Sequence, residues 1–151
     1  MYCKKITISD ISDVCDLYIS EENLQLNSNE YKNYIINAQE VYKKMHANGS
    51  YTLGCFLDSG EIVGVINVNK ILDYFPNYEN NPYIHLETFI VKKDYQNKGV
   101  GTYLMTNTME LIKKEGCTYV IIQSNNKYVQ RICQKIGLKD SIRDMRYNFI
   151  K

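Results

Sequence analysis

A long apolar run is missing from this chain, as are a paired-cysteine motif, any stretch rich in proline, glycine or serine, and an excess of charge of either sign. The first absence excludes a membrane-crossing helix. Val120-Ile121-Ile122 and Phe89-Ile90-Val91 fall far short of the roughly 20 apolar residues a bilayer needs, and Met1 to Lys5 lead into no apolar signal core. The sequence therefore predicts a soluble, cytoplasmic protein with no membrane partner. The charge balance argues against nucleic acid, because 18 Lys plus Arg against 17 Asp plus Glu leave a net charge of only +1, too even to attract a polyanion. Cys3, Cys15, Cys55, Cys117 and Cys133 are an odd set with no C-x-x-C pair, and His46 and His85 stand at no ligand spacing. Reduced, mostly buried thiols and no metal are expected. With no linker and no repeat at a period of 20 to 50 residues, residues 1–151 read as one domain, long enough to bury roughly two thirds of its unfolded surface.

What is present is a clear succession of periodicities. Residues 5–8 read as a first strand. Ser9, Asp10 and Ser12 offer caps to a helix whose apolar positions Ile11, Val14, Leu17 and Tyr18 follow the helical period. A second helix over 29–47 carries the stripe Tyr31, Tyr34, Ile35, Ala38, Val41, Tyr42 and Met45, and Asn48-Gly49 ends it. Residues 51–57 and 61–71 are strand-like and joined by the turn Asp58-Ser59-Gly60. A third strand follows at 83–91, after an irregular aromatic and polar connection, 72–82. From Gly99 the helical period returns through Val100, Leu104, Thr108, Leu111 and Ile112 to Gly116. A short apolar strand at 119–123 leads to a helix marked by Val129, Ile132, Cys133 and Ile136, stopped by Gly137, and 145–150 alternates as a last strand. The helical crossover between 83–91 and 119–123 makes that pair parallel.

The most informative stretch is Gln96-Asn97-Lys98-Gly99-Val100-Gly101, between a strand and a helix start. Two glycines let the backbone approach a ligand, and the unpaired N–H groups and dipole of the helix N-terminus favour a phosphate. A dinucleotide fingerprint would need glycine where Leu104 stands. A nucleotide-triphosphate loop would need Gly-Lys-Ser/Thr, and here the lysine precedes the glycine.

The stretch instead resembles the acetyl-CoA signature of the GNAT superfamily of acyl-CoA-dependent N-acetyltransferases: Gln or Arg, two residues, Gly, any residue, Gly or Ala. Residues 96–101 match at each defined position. Phe89-Ile90-Val91 followed by Lys92-Lys93-Asp94-Tyr95 resembles the family's approach to that loop, and residues 126–138 are similar to its second cofactor segment. The resemblance implies an α/β (α+β) fold: a mixed, mostly antiparallel sheet of six to seven strands, about four flanking helices, and a splay between the strands at 83–91 and 119–123. It implies acetyl-CoA as cosubstrate, its pyrophosphate on Gln96, Asn97, Lys98, Gly99, Val100, Gly101 and Thr102, its pantetheine arm along Phe89, Ile90 and Val91, and Asn126 on the pantetheine or the rim of the slot.

Direct attack of an amine on a thioester needs a base and support for an oxyanion, since an amine of pKa about 10.4 is almost wholly protonated at pH 7. Glu87 matches a position where many family members carry a catalytic glutamate, and His85 is a possible proton relay. Strict alternation puts Glu87 on one face with Tyr83, His85, Phe89 and Val91, opposite Ile84, Leu86, Thr88 and Ile90. Where a family tyrosine commonly protonates the leaving thiolate, this chain has Cys133, which equally fits the apolar stripe of its helix. Tyr128 and Tyr147 are the alternative donors. The predicted activity is N-acetylation of a primary amine on a small molecule or peptide, with a non-catalytic CoA-binding module as the alternative. Tyr74, Phe75, Tyr78 and Glu79, with Glu21 and Glu22, form a candidate mouth for a cationic amine or an ordinary solvated surface. The 14 tyrosines are compatible with a homodimer interface.

Overall fold

A computed structural model describes residues 1–72 and 83–139. Five strands form one sheet in the order β1-β2-β3-β4-β5, with β1 Tyr2–Lys5, β2 Tyr51–Phe56, β3 Ile62–Ile71, β4 Tyr83–Val91 and β5 Val120–Ile122. The first four pair antiparallel and β4 pairs parallel with β5, as the crossover requires. The helices are α1 Ile11–Glu21, α2 Ser28–Ala47, α3 Val100–Lys114 and α4 Lys127–Lys135. Five strands are thus described where six to seven were expected, and the expected strand at 145–150 lies outside the described residues.

The first strand sits earlier than its hydrophobic pattern suggests, at Tyr2–Lys5 instead of 5–8. Ile6 still donates its N–H to Thr52 O at 2.9 Å, but the Asp10 carboxylate then accepts from the Thr7 backbone N–H and hydroxyl, both at 2.8 Å. That local pairing draws the chain out of the sheet into a 3-10 turn, Ile8–Asp10, leading into α1. α2 begins on a reciprocal cap: Asn27 Oδ1 accepts from the N–H groups of Asn29 and Glu30, and Glu30 Oε2 accepts from the Asn27 N–H. Its inward stripe is narrower than predicted and only half-buried. Tyr34, Ile35, Ala38 and Tyr42 pack against the core that α1 shares with the sheet, whereas Val41 is 54% exposed.

Each sheet face carries its own core. On one, Leu53, Val63, Ile66, Val68, Ile84 and Leu86 meet α3 and α4 through Leu104, Met105, Ile112, Val129 and Cys133. On the other, Ile6, Phe56, Ile62 and Val65 meet α1 through Ile11, Cys15 and Leu17. No described helix is long and apolar enough to cross a membrane.

β4 does not alternate along its whole length. Val65 pairs with Ile90 and Asn67 with Glu87, so three steps on β4 oppose two on β3, and Thr88 takes a positive φ of 47°. This is a bulge. Past it the faces exchange: Phe89 and Val91 join Ile84 and Leu86 on the α3/α4 side, and Ile90 turns to the α1 side. The expected grouping of Glu87 with Phe89 and Val91 is therefore corrected, because one inserted residue reverses all that follow.

Candidate active site

β5 is short, and that shapes the site. It pairs with β4 only at Ile84↔Val120, His85↔Ile121 and Leu86↔Ile122. β4 runs on for five more residues, from Glu87 to Val91, with no partner on that side among the described residues. The strands therefore part at Glu87, in the splay expected between 83–91 and 119–123.

A cleft of about 440 Å³ occupies the opening. One wall is the strand end and glycine turn, with Phe89, Val91, Gln96, Asn97, Gly99, Gly101 and Thr102. The other is the start and inward face of α4, with Asn126, Tyr128, Val129, Arg131, Ile132 and Lys135. The turn is built for close approach. Gln96 Nε2 donates to Val91 O at 2.9 Å, tying the loop to the strand, and Asn97 and Gly99 take left-handed φ angles of 59° and 83°. A Cβ on Gly101 would lie 3.0 Å from Ile132 Cδ1 and 3.3 Å from Phe89 Cζ, so a side chain there would push these two cleft-lining groups back by a few tenths of an ångström. The first backbone bond of α3 runs from Tyr103 N–H to Gly99 O, leaving the preceding N–H groups outside the helical ladder. These donors, the helix dipole and an apolar channel along Phe89, Val91, Val129 and Ile132 fit a molecule with a diphosphate at one end and an apolar arm at the other.

Not every predicted residue reaches this cleft. Val100 and Cys133 are 4% and 7% exposed, in the α3/α4 core, and Ile90 packs on the opposite face. Burial raises the Cys133 thiol pKa, only partly offset by a backbone hydrogen bond. Lys98 does not line the cleft; its ammonium lies 5.7 Å from the Tyr95 ring centre. Asn126 is on the rim and also caps α4, its Oδ1 accepting from Tyr128 N–H at 2.9 Å. Tyr128 lines the cleft and is 63% exposed, whereas Tyr147 lies outside the described residues, as do Tyr74, Phe75, Tyr78 and Glu79.

At the fork, Glu87 is held by two neighbours. Asn69 Nδ2 donates to Glu87 Oε2 at 2.8 Å, and His85 Nδ1 lies 3.1 Å from Glu87 Oε1. The side chain remains 50% exposed. Cross-strand register explains the grouping, since Asn69 pairs with His85 and Asn67 with Glu87 on adjoining strands. Tyr18 of α1 stands within electrostatic reach. Burial, with smaller effects from Tyr34, Glu22, Cys15 and Glu87, pushes its phenol well above the ordinary value, so it is a neutral hydroxyl near neutral pH. Glu21 is turned to structure, its Oε1 accepting from the Lys93 N–H at 3.0 Å. Asn69, Arg131 and Lys135 escape a reading of the sequence for known patterns. For the last two a signal exists: Tyr128, Arg131, Ile132 and Lys135 follow the i, i+3, i+4, i+7 spacing of one helix face.

Comparison with known proteins gives a consistent picture. A model described as the acetyltransferase (GNAT) family matches residues 12–138. No curated protein sequence matches significantly. Among solved structures, an acetyltransferase from Trypanosoma brucei is 22% identical with a TM-score of 0.74, covering 98% of this chain and 99% of its own. Glucosamine-6-phosphate N-acetyltransferase from Arabidopsis thaliana is 17% identical with a TM-score of 0.73, over 98% and 97% of the two chains. A protein from Clostridium acetobutylicum described as a predicted acetyltransferase, solved with acetyl-CoA, is 13% identical with a TM-score of 0.71, over 99% and 96%.

Proposed function

This chain belongs to the acetyltransferase (GNAT) family, and on that footing we propose that it transfers an acetyl group from acetyl-CoA to the primary amine of a small molecule or peptide, with Glu87 as general base. The observation that carries the proposal is the Glu87 carboxylate just past the last β4–β5 pair, fixed by Asn69 and His85. Glu87 and His85 do not line the cleft themselves, and the bulge at Thr88 sets them on the other face of β4, Glu87 two residues from the cleft-lining Phe89.

Acetyl-CoA supplies the acetyl group as an activated thioester. The N–H groups of the turn from Gly99 to Thr102 hold its diphosphate, and the unpaired edge of β4 takes its pantetheine amides as an added strand. Glu87 removes the proton from the incoming ammonium, so that a neutral nitrogen forms the C–N bond as the C–S bond breaks. Tyr128, which lines the cleft, is the donor to the departing thiolate, since Cys133 is buried, and the second proton that the nitrogen loses as the amide forms restores the Tyr128 hydroxyl.

A second reading, CoA binding without catalysis, draws on that burial: no proton donor stands where relatives commonly have tyrosine. Release of free thiol from acetyl-CoA across a panel of amines separates the two. Amine-dependent release that falls in a Glu87→Gln variant supports catalysis, and tight CoA binding without release supports the binding module.

A further inference from the structure

The basic residues on the inner face of α4 have no role in the scheme above. Arg131 and Lys135 both line the cleft. They stand four residues apart on a helix without an acidic residue, which places them one above the other along the axis, about 6 Å apart in rise. Neither takes part in a salt bridge among the described residues, whereas Lys4, Lys5, Lys43 and Lys92 do. Like charges at this spacing repel. Two uncompensated cations that share a concave wall, facing a turn that already offers N–H donors to a diphosphate, make a place for a further anion.

Resting on the proposed acetyl-CoA reading, we propose that Arg131 and Lys135 form a second anion subsite that takes the ribose phosphomonoester of CoA, so that the protein selects CoA over dephospho-CoA. The chemistry matches, since a phosphomonoester carries close to two negative charges at pH 7, and a guanidinium and an ammonium donate charge-assisted hydrogen bonds to its oxygens. The two ligands otherwise share the diphosphate and the pantetheine arm. Selection is thus assigned to α4 and general affinity to the glycine turn.

Calorimetric titration of the full chain with CoA and with dephospho-CoA tests this without reference to turnover. CoA is expected to bind about tenfold or more tighter in the wild type, the size of one or two exposed charge-assisted contacts. In the R131Q/K135Q variant the ratio is expected to fall to about twofold or less, with dephospho-CoA affinity little changed, and R131K/K135R is expected to restore it. Both side chains are exposed, and melting of the free variant verifies its folding. Equal wild-type affinities, or a ratio that survives R131Q/K135Q, overturn the subsite while leaving acetyl-CoA binding intact. Failure of both ligands to bind overturns the acetyl-CoA reading and the subsite together.

Discussion

Glu87 is poised by neighbours that are themselves unremarkable in sequence. Asn69 donates to one carboxylate oxygen and the His85 imidazole stands beside the other, which fixes the group without burying it. Replacing it with glutamine preserves shape and removes the proposed base, so kcat is expected to fall by about a hundredfold or more, with the KM for acetyl-CoA little changed. Steady-state assays of thiol release check this. Asp10 supports a prediction of another kind. Burial raises its pKa, but the Thr7 N–H, the Lys4 ammonium at 3.0 Å and the Thr7 hydroxyl together outweigh that and hold it below the usual value. Asp10→Ala is expected to cost about 1 kcal/mol near neutral pH. Because the folded pKa lies below the unfolded value of about 3.9, the contribution is complete above that value and is lost as pH falls through the folded pKa. Melting curves of both proteins at pH 7 and near pH 3 are expected to show the gap narrowing.

At the scale of elements, β4 and α4 decide what the site is. The residues of β4 read as one alternating strand, and nothing in their types marks the bulge at Thr88. It arises from the register β4 must keep against β3, a long-range constraint that a local pattern does not contain. For this reason the face of Glu87 relative to Phe89 is not legible in the sequence, and neither is its place just past the last β4–β5 pair, which the register sets. In α4 the core stripe of Val129, Ile132, Cys133 and Ile136 stands out because it is apolar. The overlapping cleft face is hidden because Tyr128, Arg131 and Lys135 pass for solvated residues. The first-strand shift has a similar origin, in side-chain bonds from Asp10 that compete with the sheet. The turn before α3 offers a direct test of geometry. Gly101→Ala places a methyl 3.0 Å from Ile132 Cδ1 and 3.3 Å from Phe89 Cζ, so it is expected to weaken CoA binding severalfold while melting of the free protein changes little. Titration calorimetry and a ligand-free melt read the two effects separately.

For the whole molecule, the glycine motif and the order of periodicities carried the most information, because each depends on local physics: a helix N-terminus that needs an anion, and a crossover that makes two strands parallel. The parallel pairing of β4 with β5 follows from the crossover, whereas the splay is implied only by the resemblance to the acetyltransferases and the packing of helices on both sheet faces is a finding of the structure. The proposed acceptor side is less legible, since Asn69, His85, Glu87 and Tyr18 come from three elements. The central claim is that the cleft between β4 and α4 is an acyl-CoA site, and thermal melting with acetyl-CoA, CoA, NAD and ATP at equal concentrations tests it most directly. At a hundred times its Kd a ligand adds about 2.7 kcal/mol, so a clear upward shift with acetyl-CoA and CoA, and little with NAD or ATP, is the predicted result. No shift with either CoA species, or an equal shift with ATP, would contradict it.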